Sequence, residues 1–159
     1  MALTRHSMTD EQRKSVALEY FKALDTGGTT SSGASMLDLF AADGQVYFPK
    51  WGIANGRAEI ERMYGEVGTI LKSITHHYAS FNWILSGSDL LACEGTSHGE
   101  HRDGSWRAGM PEAGAGRFCD VFEIRDYLIQ CLFIYLDPDY ASLDTARYPW
   151  LQDSRRVRG

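Results

Sequence analysis

Residues 117–136 read RFCDVFEIRDYLIQCLFIYL, and this stretch decides the fold. Residues 117–124 and 128–136 are apolar, β-branched and aromatic runs of strand length, and Arg125-Asp126 between them marks a turn. Residues 74–85 and 90–100 read the same way, with Ser86-Gly87-Ser88-Asp89 between them. A long Gly-rich loop, 102–116, joins 90–100 to 117–124. Four consecutive strands therefore fill the C-terminal half.

The N-terminal half has helical spacing instead. Thr9 is an N-cap with Gln12 three residues on, as in a capping box, and Val16, Leu18, Tyr20, Phe21 and Leu24 recur on one face of a helix over 10–24. Asp25-Thr26-Gly27-Gly28 stops it. Met36, Leu37, Leu39 and Phe40 predict a second, short helix ended by Asp43-Gly44, followed by a short extended run at 45–49. Asn55 stands where it would cap a third helix over 57–71, whose apolar face is Ile60, Met63, Tyr64, Val67 and Leu71. Three helices followed by strands imply an α+β domain, the helices packed on one face of an antiparallel sheet. One domain is expected over 1–159, with its core at about 10–140 and a tail at 141–159.

Composition excludes several classes. The chain has 159 residues, 43% hydrophobic and 23% charged, with a formal net charge of -5. That charge disfavours a nucleic-acid partner, since phosphate neutralisation needs clustered Lys and Arg, and the basic cluster Arg155, Arg156 and Arg158 reads as a solvated tail. No run reaches the roughly 18 apolar residues of a membrane span. Cys93, Cys119 and Cys131 lack metal spacing and read as buried thiols of a reducing compartment, so a soluble cytoplasmic protein is expected.

Asp120 interrupts an otherwise apolar strand. Alternation puts it on the face of Phe118 and Phe122, where a shielded carboxyl acquires a raised pKa and serves as a base near neutral pH or as a neutral hydrogen-bond donor. The plainer alternative is an Asp paired with an amide or an Arg. Glu94, Thr96 and His98 share one face of their strand, and an imidazole beside Asp120 would form an acid/base pair. His98 and His101 point to opposite faces, and no residues stand ready to orient His76, Glu94 and His98 as metal ligands, so neither a metal nor a cofactor is expected. Tyr20, Phe48, Trp51, Trp83, Phe118 and Phe122 suit the walls of a flat apolar pocket or ordinary core packing.

The order of these elements, with Tyr20-Phe21-Lys22-Ala23-Leu24-Asp25, residues 39–49 (LFAADGQVYFP), Gly56-Arg57-Ala58-Glu59-Ile60, and the segments 95–100 (GTSHGE) and 109–114 (GMPEAG), resembles the cone-shaped fold of ketosteroid isomerase, nuclear transport factor 2 and the SnoaL-like polyketide cyclases. The resemblance spans about residues 10–140. It implies three N-terminal helices on a curved antiparallel sheet that wraps a pocket for a small hydrophobic organic ligand. It places Asp120 on the isomerase's hydrogen-bond-donating acid and on the cyclases' catalytic aspartate, and Tyr20 on the oxyanion-hole tyrosine. Phe48 falls where the isomerase keeps its proton-abstracting Asp, so steroid isomerisation itself is not expected.

The cyclase histidine aligns with Ser97 or with His98, a one-residue shift that flips the face. His76 and His98 resemble the histidine pair of scytalone dehydratase, which would turn His77 outward. The resemblance therefore implies catalysis by Asp120, His98, Tyr20 and His76 beside a ligand held by Phe48, Trp51, Glu94, Thr96, Phe118 and Phe122. The reaction would be cofactor-free acid/base chemistry of cyclase, isomerase or dehydratase type. The alternative is a non-catalytic ligand-binding or interaction domain. A homodimer through the outer sheet face, where the apolar residues of 129–136 would lie, is expected in either case.

Overall fold

The computed structural model describes residues 7–107 and 116–152; the segment 109–114 and Arg155, Arg156 and Arg158 lie outside them. Helix α1 (Asp10–Asp25) opens on the expected capping box: Gln12 N donates to Thr9 Oγ1 at 3.2 Å, and Thr9 N donates to Gln12 Oε1 at 2.9 Å. Its buried face carries Val16, Ala17, Tyr20 and Phe21. The expected second helix shrinks to one 3-10 turn, Met36–Leu39, because Phe40 already belongs to strand β1 (Phe40–Phe48). β1 is then nearly twice the length of the extended run foreseen at 45–49. Fully buried Phe40 and Val46 gain more from the sheet than a one-turn helix could offer.

β2 (Gly52–Asn55) returns along β1, and α2 (Gly56–Ile70) follows. Asn55 does not cap α2 through its side chain. Its amide is instead spent on Gln45, whose Nε2 donates to Asn55 Oδ1 at 2.8 Å, while Glu59 accepts from the Asn55 backbone N–H. The foreseen strand 74–85 is two strands, β3 (Leu71–His76) and β4 (Asn82–Leu85), separated by a 3-10 turn at Tyr78–Ser80. Both pair with the 12-residue β5 (Leu90–His101), β4 along one half and β3 along the other. Part of the expected Gly-rich loop is also a strand, β6 (Gly104–Arg107), a hairpin on β5. β7 (Arg117–Arg125) and β8 (Leu128–Leu136) occupy the positions read from the sequence.

The sheet runs β2-β1-β8-β7-β5-β3, with β4 and β6 also on β5. It is mixed rather than antiparallel, since β1 lies parallel to β8. The long chain between them supplies the connection a parallel pair requires. Two long helices pack on the sheet rather than three, with a final helical turn α3 at Pro149–Gln152. Among the described residues no helix is long and apolar enough to cross a membrane.

Strand register carries an apolar row across the outer face. Ile84 pairs with Ala92, Ala92 with Val121, Val121 with Phe133, Phe133 with Tyr47, and Tyr47 with Ile53. Ile84 and Ile53, at its two ends, are more than half exposed.

Candidate functional site

On the inner face, Asp120 pairs in register with Cys93 on one side and Ile134 on the other. Both neighbours are buried, and neither makes a hydrogen bond to the carboxyl. Asp120 is 4% exposed, and its Oδ1 has no hydrogen-bond partner among the described residues. Burial without a compensating charge drives its pKa well above the usual carboxylate range, which favours the protonated form. A neutral carboxylic acid donates a hydrogen bond, as a carboxylate cannot.

Asp120 stands in a cavity of about 60 Å³ with Tyr20, Tyr64, His76, Ser97 and Tyr140. α1 delivers Tyr20 and α2 delivers Tyr64, and their hydroxyls share a 2.7 Å hydrogen bond. Burial raises the pKa of Tyr20, Tyr64 and Tyr140. All three stay phenols at neutral pH. Phe48 and Phe118 supply apolar wall.

His76 enters from the end of β3. Its Nδ1 lies 2.6 Å from Asp25 Oδ1, and its backbone N–H donates to the same carboxyl at 3.2 Å. Tyr78 Oη donates to Asp25 Oδ2 at 2.5 Å. Burial pushes the Asp25 carboxyl up, but its hydrogen bonds with His76 and Tyr78 outweigh it and hold it below the usual range. An ionised carboxylate only accepts, so the Nδ1 position carries the proton, and the ring lines the cavity. Phe21 and Phe118 hold that ring in place, with centroids at 5.0 and 5.3 Å.

The inner residues of β5 are Leu91, Cys93, Gly95, Ser97 and Gly99, which turns Glu94, Thr96 and His98 outward. His98 is exposed, and its Nδ1 meets His77 Nε2 at 2.6 Å; Thr96 Oγ1 bonds His77 and Ser80. The expected face is therefore reversed, and the cause is steric. A Cβ at Gly95 would come within 2.7 Å of the Phe118 ring, and one at Gly99 within 2.5 Å of Trp106, so only glycine lets these rings close over the inner face. Ser97 fits between them and accepts from Trp106 Nε1 at 3.3 Å.

Five of the residues read from the sequence meet at the cavity: Tyr20, His76, Asp120, Phe48 and Phe118. His98, Glu94 and Thr96 do not. Phe122 is fully buried and packs on Tyr20 and Phe21, and Trp51 stacks edge-on against Phe48 beside a separate surface hollow, so neither lines the cavity. Sequence reasoning missed Asp25, which looked like a helix terminator, and Tyr64, which looked like helix core. Alternation of Glu94, Thr96, His98 and Glu100 against small or apolar residues was the available signal for the strand's true face. Among the described residues no three His, Cys, Asp or Glu side chains gather as metal ligands do.

The fold is that of the NTF2-like proteins. An NTF2-like protein of unknown function from Burkholderia pseudomallei superposes with a TM-score of 0.64 at 16% identity, covering 88% of this chain and 97% of that one. TerC, co-crystallized with polyporic acid, gives 0.58 at 15% identity over 89% of this chain and 98% of its own. A protein from Xanthomonas campestris pv. campestris, provisionally assigned as a polyketide cyclase, gives 0.60 at 18% identity, covering 80% and 91%. Compared by sequence, the chain matches no family model and no curated protein.

Proposed function

We propose that this protein is a cofactor-free acid/base enzyme of the cyclase, isomerase or dehydratase type, acting on a small apolar molecule that carries a carbonyl or enol oxygen. The observation that carries the reading is the buried Asp120 carboxyl, without a partner at Oδ1, in one cavity with an imidazole oriented by Asp25. His76 Nε2 takes a proton from the carbon beside the substrate carbonyl. Asp120, protonated, donates a hydrogen bond to the oxygen as negative charge develops there, and the Tyr20–Tyr64 pair is placed to add another. The enolate then recovers the proton at a different carbon, adds to a second carbonyl whose new alkoxide takes the proton from His76, or expels a hydroxyl group that leaves as water with the proton held by His76. These outcomes are isomerisation, cyclisation and dehydration.

Phe48 cannot take a proton, so the base role falls to His76. The co-crystallization of TerC with polyporic acid supports a small organic ligand for this fold and, by extension, for this chain. The test is a thermal-shift and turnover screen with aromatic polyketides and steroids on the wild type, Asp120→Asn and His76→Asn. Ligands that raise the wild-type midpoint and turn over only with both residues intact support the reading. Equal turnover in the Asp120→Asn variant refutes it. The cavity's volume of about 60 Å³ favours a second reading, a ligand-binding domain without chemistry, marked by stabilisation with no turnover in the wild type.

The outer apolar row from Ile84 to Ile53 supports pairing with a second copy of the chain through the sheet. Light scattering of wild type and Phe133→Glu decides it: a dimer that becomes monomeric is expected, and a wild-type monomer rejects the idea.

A further inference from the structure

Behind the inner cavity lies a second space of about 310 Å³. Leu24, Tyr64, Val67, Leu71 and Ile74 line both, so the two are neighbouring compartments of one cleft. We propose that the ligand is a two-ended amphiphile, with a neutral oxygen-bearing end at Asp120 in the inner cavity and a carboxylate end at Lys72 in the outer chamber. This rests on the reading of the inner cavity given above and specifies the substrate class.

Size is the first argument. A dry cavity of about 150 Å³ takes one benzene ring. The inner cavity, at about 60 Å³, takes a head group and leaves the body of any ring system to the larger chamber. The sequence supplies the room. Tyr64, Val67, Gly68 and Leu71 share one face of α2 and its end, and all four line the chamber. Gly68 is the gap in that row: a Cβ there would meet no atom within 4 Å.

Charge is the second argument. Asp25 and Lys72 are the charged residues that line the chamber. The two Asp25 oxygens are held by His76 and Tyr78. Lys72 makes no ion pair among the described residues, so its ammonium is the charge left uncompensated. The register of β3 against β5 slips between Leu71 and Ser73, and such a bulge redirects side chains. Leu71, Lys72, Ser73 and Ile74 all line the chamber.

The probes are 2-naphthol, 6-hydroxy-2-naphthoate and its methyl ester, titrated by fluorescence into the full chain. Wild type is expected to bind the acid about fivefold more tightly than the ester, the scale of a partly exposed ion pair. Lys72→Gln is expected to erase that preference and leave ester affinity unchanged. Gly68→Leu, which raises helix propensity and so keeps the fold, is expected to weaken acid and ester together, with circular dichroism confirming an intact helix. Asp120→Asn should weaken all three probes. If 2-naphthol binds and depends on Asp120 while acid and ester bind alike, the amphiphile proposal falls and the inner-site reading stands. If no probe binds the wild type, both fall.

Discussion

His76 Nδ1 lies 2.6 Å from Asp25 Oδ1, and this pair joins the end of α1 to the end of β3 across 51 positions of sequence. The same carboxyl accepts the His76 backbone N–H and the Tyr78 hydroxyl, so one short side chain fixes the ring's tautomer, its rotation and the loop beside it. Asp25→Asn keeps the shape and removes the acceptor-only character. The Asn variant is expected to lose about a hundredfold or more in turnover of any substrate found, in the manner of a triad carboxylate replaced by its amide. Nitrogen NMR of the ring is the independent check: the proton sits on Nδ1 in the wild type and redistributes in the variant.

Asp120 ties stability to pH in an unusual direction. Its folded pKa is raised, so between the unfolded value of about 3.9 and the raised folded value the native state binds more protons than the unfolded chain. Stability from this group is therefore fully present below about pH 3.9 and is lost as pH rises toward the folded pKa. Asp120→Asn cannot titrate. The difference in melting temperature, wild type minus variant, is expected to fall steadily as pH rises through that window. A difference that does not change with pH would show that the carboxyl is not held neutral.

The Tyr20–Tyr64 hydrogen bond spans two helices at the cavity wall. Removing either hydroxyl leaves a buried partner unsatisfied, so Tyr64→Phe and Tyr20→Phe are each expected to cost about 1–3 kcal/mol in denaturant unfolding. The double variant should cost less than the sum, with a coupling of at least about 0.5 kcal/mol.

His98→Ala is expected to leave ligand-induced stabilisation and turnover at wild-type levels, because its ring sits outside with His77. Gly99→Ala should cost about 1–3 kcal/mol through collision with the Ser73 carbonyl oxygen and the Trp106 ring, the scale of an overpacked core. If His98→Ala abolished turnover while the fold persisted, the inward face of β5 assigned here would be wrong.

Features that depend only on near neighbours are written in the chain. The capping box of Thr9 and Gln12, the apolar face of α1, and the alternation that set Asp120 beside Phe118 and Phe122 all act within a few residues, and all are found in place. Polar and small residues also alternate along β5, so the outward turn of His98 was present in the sequence although the resemblance argued the other way. Tertiary structure decided the rest. β1 became a long strand parallel to β8 because a distant strand offered its backbone partners. Gly95 and Gly99 make sense only against Phe118 and Trp106, and Asp25 gains its role only once α1 packs beside β3. Hydrogen-bond pairing and ring packing between distant segments leave no periodic trace in the chain. Asp120 was therefore legible from its strand, and Asp25, the carboxylate that orients His76, was not.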